Sequence, residues 1–374
     1  MACTRPTPEE LHSTHSTNPT SKFKPFCLKL ANGATLTGIS YIPGSVFSTS
    51  ASPGKPLLVG IHGATCSAYS YDVSPNYTAS TYCDLIGVPF VAFNRPNYLD
   101  SSGWLVDRSS ADPQTPQWKP EQGNSFFEEE GRWLHDYTLP ALWSAFALPN
   151  DCTSIVTTSH SMSVPVTVIA ASHYSPEPPS ECSYTWSGMI LSGFAERPEA
   201  RAAHGDTVSA ALLTDGHREP HEIPLGQDDR IHIVSYKPED KMNLMLGPVG
   251  VSDPDLRPLI WKQHTPFLLQ EIVDMMGPWP AASAKYKAGV KIPVLVGLGE
   301  YDWVWQGTRE SVERFCTGFV NAPRVEGARV EGAPHAIKLG RTGKGWWVRC
   351  FGWAMEVADG QVFRVEDGRA RGYV

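Results

Sequence analysis

The stretch TTSHSMSVPV at residues 157–166 sets serines at 159, 161 and 163, directly behind the β-like run Cys152–Val156. A serine hydroxyl is a poor nucleophile at neutral pH. It needs an adjacent base, an exposed position, and donors for the oxyanion that attack creates. A sharp strand-to-helix turn supplies the exposure, but crowding there requires small residues two before and two after the nucleophile. Ser159 and Ser163 meet that requirement, with Ser161 at the tip. Taken alone, the segment reads equally well as a serine-rich cap on a helix beginning near Met162. Two other segments tip the balance. His335 closes Glu331-Gly-Ala-Pro-His335 behind an apolar strand-like segment, and Asp302 lies four residues past the run IPVLVGL at 292–298. The chain order Ser161, Asp302, His335, each behind an apolar run, points to acyl transfer by a nucleophile, an orienting acid and a base. Glu196, after the run SGMILSG at 187–193, is an alternative acid, and Glu300 is a weaker one.

These residues need a scaffold that brings distant strand ends together. Residues 26–42 alternate in two runs around Asn32-Gly33, which predicts a hairpin. Short apolar runs follow at Pro56–Ile61 (ending in His62-Gly63), Val88–Phe93, Ser154–Thr158, Ser187–Gly193 and Ile292–Leu298. Helical patterns separate most of them, including an apolar face on Trp133, Leu134, Tyr137, Leu139, Leu142 and Phe146. Such alternation predicts an α/β fold with a mostly parallel sheet covered on both faces. The interval from Gly193 to Lys291 breaks the rhythm and reads as an insertion over one edge. Residues 1–22 read as a disordered or loosely docked arm, and 100–122 as a loop.

The 374 residues are 41% hydrophobic, enough for a large core. A formal charge of −8 and the absence of a Lys/Arg cluster give no reason to expect nucleic acid or an anionic membrane as partner. No apolar stretch is long enough to span a bilayer, and residues 1–22 lack the apolar core of a signal peptide. The eight cysteines are scattered with no CxxC pair, so neither a disulfide framework nor zinc ligation is expected, and a cytoplasmic location follows. No H-E-x-x-H, P-loop or G-x-G-x-x-G element occurs, so no metal or cofactor is expected.

From about residue 26 to 358 the chain resembles the α/β-hydrolase superfamily. LLVGIHG is similar to its third strand and oxyanion-loop entry, and VPFVAFNRPNYLDS to its V-x-A-x-D-R-P-G-x-G-x-S segment. SHSMS resembles G-H-S-M-G, IPVLVGLGEYD the acid strand, and VEGAPH the histidine loop. The resemblance implies Ser161 as nucleophile, His335 as base and Asp302 as acid. It implies the backbone N–H groups of Ala64 and Met162 as the oxyanion hole, His160 packed beneath the elbow, and His62 shaping the oxyanion loop. The chain departs from the pattern where both elbow glycines are serine and where Asn94 and Asn97 replace Asp and Gly.

On this reading residues 23–196 and 286–374 form the hydrolase core, and 197–285 an inserted helical cap. The cap carries Met242, Leu244, Met245, Leu246, Trp261, Phe267, Leu268, Met275, Met276 and Trp279. Many must fill its own core. Met242, Met275, Met276 and Trp279, with Trp303 beside the acid, are the candidates for contact with substrate, because adaptable apolar side chains suit acyl groups. The expected substrate is a mainly apolar acyl ester, thioester or lactone, supplied free or on a carrier protein. Similarity to stand-alone thioesterase-like hydrolases of fungal secondary metabolism implies release or cyclisation of a polyketide-type chain. The other class to be weighed is a ligand-binding protein on the same fold without catalysis.

Overall fold

The computed structural model describes residues 14–44, 54–102, 125–174, 183–196, 221–223 and 231–367. Eight strands form the main sheet: β1 (Lys24–Lys29), β2 (Thr35–Tyr41), β3 (Pro56–Ile61), β4 (Phe90–Phe93), β5 (Ser154–His160), β6 (Trp186–Ser192), β7 (Val294–Tyr301) and β8 (Val325–Pro334). Their spatial order is β1-β2-β4-β3-β5-β6-β7-β8. The expected hairpin pairs β1 with β2 antiparallel, Lys29 facing Thr35, and β2 meets β4 antiparallel; all remaining pairs are parallel.

The central strands are buried on both faces, so they read as continuous apolar runs. Alternation still sorts their side chains. Leu57, Val59 and Ile61 of β3 enter one core layer, while Leu58 enters the other. Helix α1 (Ser80–Ile86) lies on one side of the sheet. The other side carries α2 (Phe126–Trp133) and α3 (Ser163–His173), which pack against each other. A capping box of Ser125 and Glu128 starts α2. The helical path then continues to Asn150 through two widened, π-type stretches, Leu134–Thr138 and Trp143–Ala147. They flank Pro140, which has no N–H to give to the ladder.

The interval 197–285, expected from the sequence to be a helical cap, is not purely helical. Its described residues include α4 (Pro238–Leu246), α5 (Leu256–Lys262) and α6 (Leu269–Met276), but also a separate antiparallel sheet of His221–Ile223, Ile231–Val234 and Phe267–Leu268. Runs of two to four residues are too short for periodicity to distinguish strand from helix, which is why the sequence predicts a mainly helical segment with no clear strand. Helix α7 (Pro278–Gly289), whose first half falls inside the interval read as cap, packs against α3 of the core. Helix α8 (Arg309–Thr317) supports β8, and α9 (Gly343–Asp367) lies over β3, β5 and β6 on the α1 side. Trp346 of α9 seats on β7 where Gly297 has no side chain; a Cβ there would come within 2.3 Å of the indole.

Residues 14–22 are held more firmly than a loose arm. Asn18, itself buried, donates to Asp72 Oδ1 at 2.7 Å, the Ser21 hydroxyl donates to the other Asp72 oxygen, and Thr17 Oγ1 donates to Val73 O at 2.7 Å. A buried carboxylate has to collect such donors, and this segment supplies them. Residues 1–13, and residues 103–122 of the loop read at 100–122, lie outside the described residues.

Candidate active site

Four strand ends meet at the carboxyl edge of the sheet. β5 delivers Ser161, β7 delivers Asp302, β8 delivers His335, and β3 delivers the turn His62-Gly63-Ala64. Ser161 has φ +57°, the left-handed region that costs a residue with a side chain about 1–3 kcal/mol. Its N–H donates to Ser192 O at 2.9 Å, and its own carbonyl starts α3 by accepting from Val164 N at 2.8 Å. The chain therefore reverses in one residue and pushes the side chain outward. Gly63 makes room: a Cβ there would lie 2.8 Å from Ser161 Cβ.

The two elbow serines fit without opening the turn. Ser159 Oγ is 2.6 Å from Thr167 Oγ1. Ser163 Oγ accepts from His160 N at 3.0 Å and points its own hydrogen toward Ile61 O and His160 O, each at 3.0 Å. Both are fully buried, so these hydroxyls add links between β3, the elbow and α3. The other two departures are also accommodated. Asn94 receives Ala68 N at 2.9 Å and donates to Thr37 Oγ1 at 2.9 Å. Asn97 takes φ +70°, a conformation Asn tolerates better than most residues.

His335 Nδ1 lies 2.9 Å from Asp302 Oδ2, and His335 Nε2 lies 3.0 Å from Ser161 Oγ. The acid and the imidazole are 0% and 1% exposed. The second carboxylate oxygen, Oδ1, accepts from Val304 N at 2.8 Å and Trp305 N at 3.0 Å, which fixes its rotamer. Both rival acids are engaged elsewhere. Glu196 pairs with Lys287, and Glu300 pairs with Arg329 at 2.6 Å while accepting from Gly332 N.

The ring of His160 packs 4.7 Å from that of His335, with burial, His335 and Lys338 holding its pKa well below the ordinary range. His62 accepts Arg95 N on Nε2 at 3.1 Å, which places its proton on Nδ1, donated to Gly63 O at 2.8 Å. Burial first, and then Arg95, keep this imidazole neutral. Arg95 is itself buried, gripping Glu130 through two 2.7 Å bonds and Glu271 of α6 at 2.9 Å; Tyr98 donates to Glu271 at 2.7 Å. One residue turn further along α6, Asp274 accepts Phe127 N at 2.7 Å. Helix α6 is thus tied to the core at two points.

A cavity opens above Ser161. Ala64, Thr65, His160, Ser161, Met162 and His335 form its floor, and Tyr236, Leu244, Met245, Phe267, Met275 and Val304 its walls. The Tyr236 and Phe267 rings stack at 5.6 Å. Among the described residues no carboxylate, Lys or Arg lines it. Of the five expected substrate contacts, only Met275 lines the cavity. Met242 and Met276 do not. Trp279 is buried against Phe194 in the core, because it belongs to α7, and Trp303 is partly exposed to solvent. Leu244, Met245 and Phe267 were visible in the sequence as apolar cap residues, but nothing in the pattern told the inward face from the cap's own core. Tyr236 and Val304 carried no signal. Among the described residues no cluster of His, Cys, Asp and Glu could hold a metal ion, and no helix is long and apolar enough to cross a membrane.

No protein-family profile matches the sequence, and no curated protein matches it. Solved structures do resemble it. A soluble variant of monoglyceride lipase from Saccharomyces cerevisiae, in complex with a substrate analogue, is 15% identical, with 92% of this chain and 97% of that chain covered at a TM-score of 0.51. A membrane phospholipase A described as a bacterial virulence factor is 14% identical, with 90% and 87% covered at 0.50. With its eight-stranded order, its helices on both faces and these matches along nearly the whole length, the chain has the α/β-hydrolase fold.

Proposed function

We propose that the protein is a serine hydrolase cleaving ester or thioester bonds of apolar acyl substrates, with Ser161 as nucleophile, His335 as general base and Asp302 as its orienting acid. The supporting observation is the continuous chain Asp302 Oδ2–His335 Nδ1 and His335 Nε2–Ser161 Oγ, ending on a strained, outward-facing serine at the floor of an apolar cavity. His335 Nε2 takes the hydroxyl proton as Oγ attacks the acyl carbon, while Asp302 stabilises the imidazolium that forms. The carbonyl oxygen becomes an oxyanion, received by the backbone N–H groups of Ala64 and Met162. Collapse of this intermediate expels the alcohol or thiol with the proton from His335. Water, activated by the same imidazole, then releases the acid.

A wall of Met, Leu and aromatic side chains without charge suits an acyl group lacking a carboxylate or phosphate. The monoglyceride lipase that shares the fold is in keeping with a glyceride-like ester, and acyl thioesters on a carrier protein suit the same cavity. The test is labelling with a fluorophosphonate followed by a panel of p-nitrophenyl esters and acyl thioesters. Wild type labels on Ser161, and Ser161→Ala loses label and turnover together, by several orders of magnitude in kcat. Label on Ser159 or Ser163, or turnover surviving in Ser161→Ala, refutes the assignment.

A further inference from the structure

Thr65, next to the candidate oxyanion donor Ala64, has φ +62°. A β-branched residue in that region is a true outlier and persists only where its surroundings enforce it. Two groups from the insertion do so here. Thr265 N donates to Thr65 O at 3.1 Å, and Lys241 Nζ, from α4, donates to the same oxygen at 2.6 Å. Lys241 is 1% exposed, and no ion pair with a carboxylate is found for it among the described residues. Burying an ammonium costs several kcal/mol and is normally offset by an opposite charge. A lysine whose one hydrogen-bond acceptor among the described residues is a carbonyl is a poor stability device, which directs attention to what that carbonyl belongs to.

We propose that Lys241 is a positioning residue of the oxyanion loop, its ammonium holding the Thr65 carbonyl so that the 63–65 turn keeps its left-handed conformation and presents its backbone N–H groups to the cavity. The proposal rests on the hydrolase reading above. It makes the insertion part of the catalytic apparatus. The same segment is bolted to the histidine loop, since Ala336 N donates to Met245 O at 3.0 Å and Arg341 N to Val251 O at 3.0 Å. Met245 and Leu246 share a small core with Cys66, Ala336 and Leu339.

Burial pushes the Lys241 ammonium down to about 8. The groups facing it are Cys66, His62 and His264; burial keeps His62 neutral and takes His264 down to about 3. Lys338, which also interacts with Cys66 and lies 3.0 Å from Ser70 Oγ, is pushed down to about 7 by burial and needs its own control. As pH rises through about 8 the ammonium loses its charge and its hydrogen bond to the carbonyl weakens, so kcat should fall on the alkaline side.

The experiment measures kcat, KM and trifluoromethyl-ketone inhibition on p-nitrophenyl butyrate from pH 6 to 9.5. In Lys241→Met and Lys241→Gln, kcat falls about tenfold to a hundredfold, less than loss of a whole oxyanion donor. KM stays level, and affinity for the ketone, whose adduct carries the oxyanion, weakens in step with kcat/KM. The alkaline limb disappears in both variants but remains in Lys338→Met and Cys66→Ala. Fold is checked by thermal melting. Wild type that labels at Ser161 yet shows no alkaline limb overturns the proposal, even if neither variant folds. So do folded variants with unchanged kcat and ketone affinity. In each of those cases the hydrolase reading stands. Wild type that neither labels nor cleaves any ester overturns both.

Discussion

Asp302→Asn isolates the acid without disturbing the loop that holds it. In the native site Oδ1 takes two backbone N–H groups, from Val304 and Trp305, and Oδ2 faces His335 Nδ1. A carboxamide can satisfy the two N–H groups only with its oxygen, which turns its NH2 toward Nδ1. That nitrogen must then be the acceptor, so the ring proton moves to Nε2 and faces Ser161 Oγ across 3.0 Å. The base is occupied before catalysis begins. The expected loss is about 10⁴ in kcat, or about 5.5 kcal/mol in the barrier. Because both backbone donors stay paired, the melting temperature should hardly change. Asp302→Ala, by contrast, orphans them and costs about 1–3 kcal/mol of stability for each. Stopped-flow acylation by p-nitrophenyl butyrate measures the first effect and calorimetry the second. A loss below tenfold in a folded Asp302→Asn would show that the imidazole does not depend on this carboxylate. Glu196→Gln, which breaks a pair with Lys287, should leave the kinetics at wild-type level.

Other outcomes follow from the cavity and from α6. Met275→Ala widens the wall and should shift preference toward longer or bulkier acyl groups with little effect on acetate esters. Trp279→Ala should leave chain-length preference alone and cost about 3–5 kcal/mol of stability, since it empties a core site against Phe194. Asp274, pushed up to about 6 by burial, favours folding in its protonated form. That contribution is complete below its ordinary value of 3.8 and is lost as pH rises through about 6. Relative to wild type, Asp274→Asn should therefore gain stability from pH 4 to 7.5, by about 3 kcal/mol at most, while keeping an oxygen for Phe127 N. Urea melts across that range check it, and a constant difference between the two proteins would rule the argument out.

Much of the fold was legible because its signals are local. Asn32-Gly33 announces a hairpin, each apolar run is one buried strand, and Ser161, Asp302 and His335 each follow a run that ends at the same edge of the sheet. What stayed hidden depends on contacts across long separations. Lys241 and Thr65 are 176 residues apart, and so are Arg95 and Glu271; nothing near either lysine or arginine in sequence marks its partner. The cavity-facing side of residues 236–276 was hidden for another reason. Met275 and Trp279 are both apolar and four residues apart, yet a helix break at Gly277 sends one to the cavity and the other to the core.

The placement of α9 bears on how the chain is made. Synthesis proceeds from the amino end, so β3, β5 and β6 emerge long before residues 343–367, which cover them on the α1 side. Until then one face of the sheet's most apolar strands is covered only in part, by α1 and residues 68–71, and Trp346 has yet to fill its seat at Gly297. Ser161 is likewise translated well ahead of Asp302 and His335. A ribosome-bound intermediate therefore displays a sticky half-sheet while possessing a nucleophile with no base. It is inert toward esters and prone to self-association, so demand for holdase chaperones should peak late in elongation and end when the last tryptophans dock.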